Sequence, residues 1–120
     1  MRVLLLAAFA SLITVHAVRA QQRVERSTGV YARNGGSDQK SVEIPNSCRY
    51  VGHATSVTTA NPQEEQRGGQ GGKWDYKDWV DRFTDNSIYR VSIWCWAEDK
   101  PSFGKSRWIG VALTVTMDCY

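Results

Sequence analysis

The sequence predicts a mostly β domain, antiparallel and sandwich-like, with one short helix; an α+β arrangement is the alternative. Three observations predict it. Apolar residues alternate strictly through Tyr89, Val91, Ile93, Cys95 and Ala97, and again through Ile109, Val111, Leu113, Val115, Met117 and Cys119. A period of two with one apolar face is the mark of a half-buried strand. The stretch 47–59 is rich in Val and Thr, which suit a pleated surface. Tyr76, Trp79, Val80 and Phe83 stand at i, i+3, i+4 and i+7, the stripe of an amphipathic helix.

Before any of these comes a leader. Met1-Arg2 opens the chain with a positive charge, and an apolar run follows from Val3 to Val15. Val18 and Ala20 supply small residues at the positions of a cleavage site. The run is too short to serve as a membrane span. Residues 1–20 therefore read as a signal peptide and residues 21–120 as a single small secreted domain, extracellular or periplasmic. No span of the membrane is expected in the mature form.

Losing the leader changes the charge. The whole chain has 15 Lys+Arg against 12 Asp+Glu, and Arg2 and Arg19 leave with residues 1–20. A net charge of +1 remains on the mature domain. Such a domain exerts little long-range pull on phosphate, so no nucleic-acid partner is expected.

Within the domain, residues 21–40 are polar and support one weak edge strand around Val24, Val30 and Tyr31. Ser41–Pro45 alternates and ends at a proline, as a short strand does. The strand 47–59 stops at Asn61-Pro62, and 61–73, with its run of glycines, is a loop. The helix is expected over 75–84, with Asp75 as its cap. The two alternating runs, 88–98 and 107–119, are expected to pair as an antiparallel hairpin at the centre of the domain.

That hairpin constrains the cysteines. Secretion favours a disulfide, and the three cysteines Cys48, Cys95 and Cys119 leave one over. With Cys95 opposite Ile109, Cys119 lies about ten residues further along, roughly 33 Å at strand rise. A disulfide needs Cα atoms within about 7 Å. Cys48 is then a partner, with Cys119 preferred because it pins the C-terminus. Cys48 with Cys95 is the alternative. The leftover thiol at Cys95 would be buried.

The same register puts Trp96 opposite Trp108 and Trp94 opposite Gly110. Trp94, Trp96 and Trp108 then share the non-core face with Arg90. Flat indoles on a rigid sheet suit stacking on sugar rings. The competing reading covers that face with another layer. The expectation is a non-catalytic binding module for a glycan, using these four residues. One alternative is a factor that binds another secreted or surface protein, an inhibitor or effector, through 61–73 or 99–106. Another is a small hydrolase built on His53, the one histidine outside the leader. No nucleophile motif surrounds His53, so an enzyme is the weaker expectation. No cofactor is expected. No metal is expected either, because the cysteines and His53 lack zinc-ligand spacing and Asp75, Asp78, Asp81 and Asp85 lack the glycine of a calcium loop.

Overall fold

The computed structural model describes residues 21–60, 74–100, 102 and 106–120. The leader expected over 1–20 and the loop expected over 61–73 lie outside them, as do Pro101 and residues 103–105. Six strands make up the fold: β1 (Gln22–Arg33), β2 (Ser37–Glu43), β3 (Cys48–Ala60), β4 (Trp74–Arg82), β5 (Ile88–Ala97) and β6 (Trp108–Cys119). They form two antiparallel three-stranded sheets, ordered β1-β6-β3 and β2-β5-β4.

The core is the meeting of the two central strands. From β5 come Val91, Ile93, Cys95 and Ala97; from β6 come Ile109, Val111, Leu113, Val115 and Met117. All are buried, and their alternation is the period of two visible in the sequence. Each central strand has hydrogen-bonded neighbours on both sides and turns its apolar face to the opposite sheet. On one side β1 and β2 add buried residues of their own, Val30, Ala32 and Val42. On the other side no residue of β3 or β4 is fully buried.

Three expectations are corrected here. The runs 88–98 and 107–119 are strands, but they do not form a hairpin. They are the centres of opposite sheets. A strand with one apolar face is equally content beside its neighbour or across from it, and parity does not tell these apart. The connection between them crosses from one sheet to the other, next to the turn at Arg33–Gly36. There Asn34 and Gly35 take positive φ (43° and 85°), Asn34 N–H donates to the Arg107 carbonyl, and Gly35 N–H donates to the Ala97 carbonyl. The positive φ at Gly35 favours glycine there, and a Cβ would also displace the Asp99 carboxylate that lies against it.

The helix over 75–84 is strand β4. Tyr76 and Val80 pack toward the core while Trp79 points outward, so aromatic residues on both faces imitate a helical stripe. The true hairpin is β4–β5, closed by Phe83 N–H to the Ser87 carbonyl, with Asn86 at φ 75°. Finally, the N-terminal segment holds two strands in place of one weak edge. β1 is an edge strand twelve residues long, and the short strand expected at 41–45 begins earlier, at Ser37.

The strand at 47–59 is β3, and it adjoins 107–119 through pairing with β6. Cys48 lies opposite Cys119, and the two form the disulfide, with Cα atoms 4.0 Å apart. Cys95 is the buried free thiol.

Candidate functional site

The outward residues of β2, β5 and β4 line up in rows across one sheet. Ser37, Trp96 and Asp75 make one row, and Gln39, Trp94 and Lys77 the next. Ser41, Ser92 and Trp79 follow, then Glu43, Arg90 and Asp81. Trp94 and Trp96 are neighbours two residues apart on β5, and Trp79 stands diagonally across from Trp94 on β4. All three indoles are half-buried.

Side chains hold this face in order. Lys77 reaches between two indoles, its Nζ 5.1 Å from the Trp94 ring centre and 5.6 Å from that of Trp79. Both distances fall within cation–π range. Arg90 Nε donates to Asp81 Oδ2 at 2.8 Å, and that hydrogen bond is the main cause raising the guanidinium pKa above its ordinary value. The Ser41 and Ser92 hydroxyls pair at 2.8 Å. Ser92 is 1 % exposed, so this pair satisfies a buried hydroxyl beneath the tryptophans.

The expected trio of tryptophans is therefore redrawn. Trp94, Trp96 and Arg90 do share a face. Trp108 does not join them: it pairs with Arg33 on β1 and points outward from the opposite sheet. There its indole N–H donates to Thr59 Oγ1 at 3.1 Å. Trp79 joins the face instead, diagonal to Trp94 and with Lys77 between those two rings. Both were legible in principle, since Asp75, Lys77, Trp79 and Asp81 alternate with Trp74, Tyr76, Asp78 and Val80. The i, i+3, i+4 coincidence of the aromatics hid that alternation.

His53 lies on the other side of the fold, at the edge shared by β3 and β4. Its Nε2 meets the Asp78 carboxylate across the gap between the sheets, and the Tyr50 hydroxyl meets Nδ1 at 2.7 Å. With its proton on Nε2, His53 donates to Asp78 and accepts from Tyr50. The trio depends on a β-bulge. Tyr50 faces Met117 and Gly52 faces Thr116, with Val51 the extra residue. That insertion brings Tyr50 and His53 to one side, although strict alternation puts them on opposite faces. A second bulge between Val57 and Thr59 makes a further shift. The Asp75, Asp78, Asp81 and Asp85 series is dispersed by the strand: Asp75 and Asp81 face outward on β4 and Asp78 inward, while Asp85 caps the β4–β5 turn through the Ser87 N–H and hydroxyl.

Among the described residues, no group of three His, Cys, Asp or Glu side chains is placed to hold a metal ion. No helix among them is long and apolar enough to cross a membrane. No protein-family model, curated protein or solved structure matches the chain.

Proposed function

We propose that the chain is an exported, non-catalytic binding module that takes a carbohydrate on the outer face of the β2-β5-β4 sheet. Trp94, Trp96 and Trp79 are the stacking surfaces, and Gln39, Asp75 and Arg90 are the polar groups around them. The observation that carries this reading is the presence of three half-buried indoles on one sheet face. All six described strands belong to the two sheets, so none of them lies over it. A sheet supplies the rigidity that stacking needs, because the indoles are ordered before the ligand arrives. Lys77 adds to that order by pinning Trp79 and Trp94.

Export is part of the same proposal. The leader at 1–20 and the Cys48–Cys119 disulfide both suit an oxidising compartment outside the cytoplasm. The alternative of a hydrolase built on His53 is disfavoured by geometry. Its ring nitrogens are held by the Tyr50 hydroxyl and the Asp78 carboxylate, and no serine or cysteine nucleophile is among those partners.

The test is titration of the oxidised protein with a panel of neutral and charged glycans, read by tryptophan fluorescence and calorimetry. Trp94→Ala and Trp96→Ala should each weaken binding by about five- to tenfold, the loss of one aromatic contact of ~1–1.5 kcal/mol. Trp108→Ala should leave it unchanged. Equal affinity in all three variants would remove the sheet face from the binding site.

A further inference from the structure

The four edge strands of the sandwich are not alike. β1, β2 and β4 each carry at least three charged side chains. Charges on an edge strand are a common protection against pairing with another chain. β3 is different. From Val51 to Ala60 it has no Lys, Arg, Asp or Glu, and no proline. Its inner side pairs with β6, and among the described residues no strand pairs with its other side.

Two bulges bracket the strand, leaving Gly52–Val57 in unbroken register with β6. Within it the outward side chains are small: Gly52, Ala54 and Ser56. At its ends stand Val51 and Val57, which are 43 % and 40 % exposed. These are two of the few large apolar side chains that the fold leaves open to water.

We infer that β3 is a self-association edge, pairing antiparallel with β3 of a second copy about a two-fold axis at Ala54. A two-fold contact uses the same patch twice, so the segment must match its own reverse. This one does. With Ala54 against Ala54, Gly52 lies opposite Ser56, and His53 opposite Thr55. Val51, the bulge residue, falls at the end of this ladder beside Val57 on both sides of the axis, so each exposed valine comes near an apolar neighbour. No like charges meet in the paired segment. The result is a six-stranded sheet, β1-β6-β3 continued by its symmetry mate. The outer face of β2-β5-β4 takes no part, so two copies of the tryptophan face are carried by one assembly.

A contact of seven residues per strand is small, so the dimer is a weak one with a dissociation constant on the order of 10–100 μM. Sedimentation equilibrium of the oxidised chain should show reversible dimerisation in that range. Ala54→Lys sets two lysines side by side at the axis and should raise the dissociation constant at least about tenfold. Ser27→Lys, on the β1 edge, should leave it unchanged. Ala54→Cys gives a readout of register: mild oxidation should yield a covalent dimer, and the same substitution at Ser56 should cross-link poorly. Near-UV circular dichroism confirms that each variant is folded. A protein that stays monomeric to about 1 mM overturns the inference. So does a dimer that survives Ala54→Lys, or one that Ser27→Lys abolishes.

Discussion

His53 and Asp78 join the two sheets on the side where the core is thinnest. One residue comes from β3 and the other from β4, and the Tyr50 hydroxyl completes the link at His53 Nδ1. β3 and β4 contribute no fully buried residue, so polar contacts take over there from apolar packing. His53→Ala should lower the unfolding free energy by about 1–2 kcal/mol, because it leaves Asp78 and Tyr50 without their partner. Tyr50→Phe breaks only the neutral bond and should cost about 0.5–1 kcal/mol. Urea denaturation measures both. A loss from His53→Ala no larger than that from Tyr50→Phe would mean that the bridge to Asp78 contributes nothing.

The disulfide acts on the unfolded chain. Cys48 and Cys119 are 71 residues apart in sequence yet directly opposed across β3 and β6. Closing a loop of that length removes chain entropy worth about 4 kcal/mol at 25 °C. Replacing both cysteines by Ala should therefore lower stability by roughly that amount. Reduction of the native protein should do the same. A reduced protein whose denaturation midpoint matches the oxidised form would show that the staple is idle.

Cys95 should be chemically silent until the fold opens. Its side chain lies between the central strands, and burial pushes the thiol up to about 11, with the nearby Asp38 carboxylate adding to the shift. At neutral pH almost none of it is thiolate, the reactive form. Ellman's reagent should detect no thiol in the native protein and one after denaturation. Prompt native reactivity would mean that the β5–β6 interface breathes. Cys95→Ser should destabilise more than Cys95→Ala, because it places a hydroxyl in an apolar layer.

The strands of the core were legible because their chemistry alternates without exception. Val91, Ile93, Cys95 and Ala97, like Ile109 to Met117, leave no other period available. Their pairing was not legible. Alternation says that Ile93 and Leu113 are inside, and both a hairpin and two facing sheets satisfy that. β4 was hidden for a different reason: its outer face carries Trp79, so neither face looks plainly apolar. The bulge at Val51 is also silent in the sequence. It inverts the parity of Tyr50 relative to His53, and so the cluster with Asp78 could not be assembled from spacing. Cys48 was reached as a partner through a hairpin register that the fold does not have, and Cys119 was preferred to Cys95 only because it pins the C-terminus. The pairing stands on a different register: β3 runs beside β6 and sets Cys48 opposite Cys119, while Cys95 stays a free thiol on β5.

Acid should weaken the fold through Asp118. Arg23 holds this carboxylate with two hydrogen bonds, at 3.0 and 3.3 Å, and they are the main cause holding its pKa below the ordinary carboxylate value. A pKa lower in the folded than in the unfolded state adds stability above the unfolded value. That stability is lost as pH falls through the folded one. Asp85 shifts the same way, held down by the Ser87 hydroxyl and then its backbone N–H. Stability should thus be level near neutrality and should fall as pH drops below about 4. Asp118→Asn should flatten that fall. An unchanged acid slope in this variant would assign the transition to other carboxylates.

Lys77 offers a way to separate order from binding on the tryptophan face. Its ammonium lies over both Trp79 and Trp94, so it holds two indoles with one side chain. Lys77→Ala should cost only about 0.5–1 kcal/mol of stability, the value of a cation–π contact near the surface. It should also release the two rings: acrylamide, a neutral quencher, should reduce tryptophan fluorescence more steeply than in the wild type. If the face binds a glycan through pre-ordered indoles, the same variant should bind more weakly even though no stacking ring is lost. The weakening should appear as a larger entropic cost in calorimetry, because ring ordering moves into the binding step. Quenching that rises while affinity and its entropy stay constant would separate Trp79 and Trp94 from the ligand.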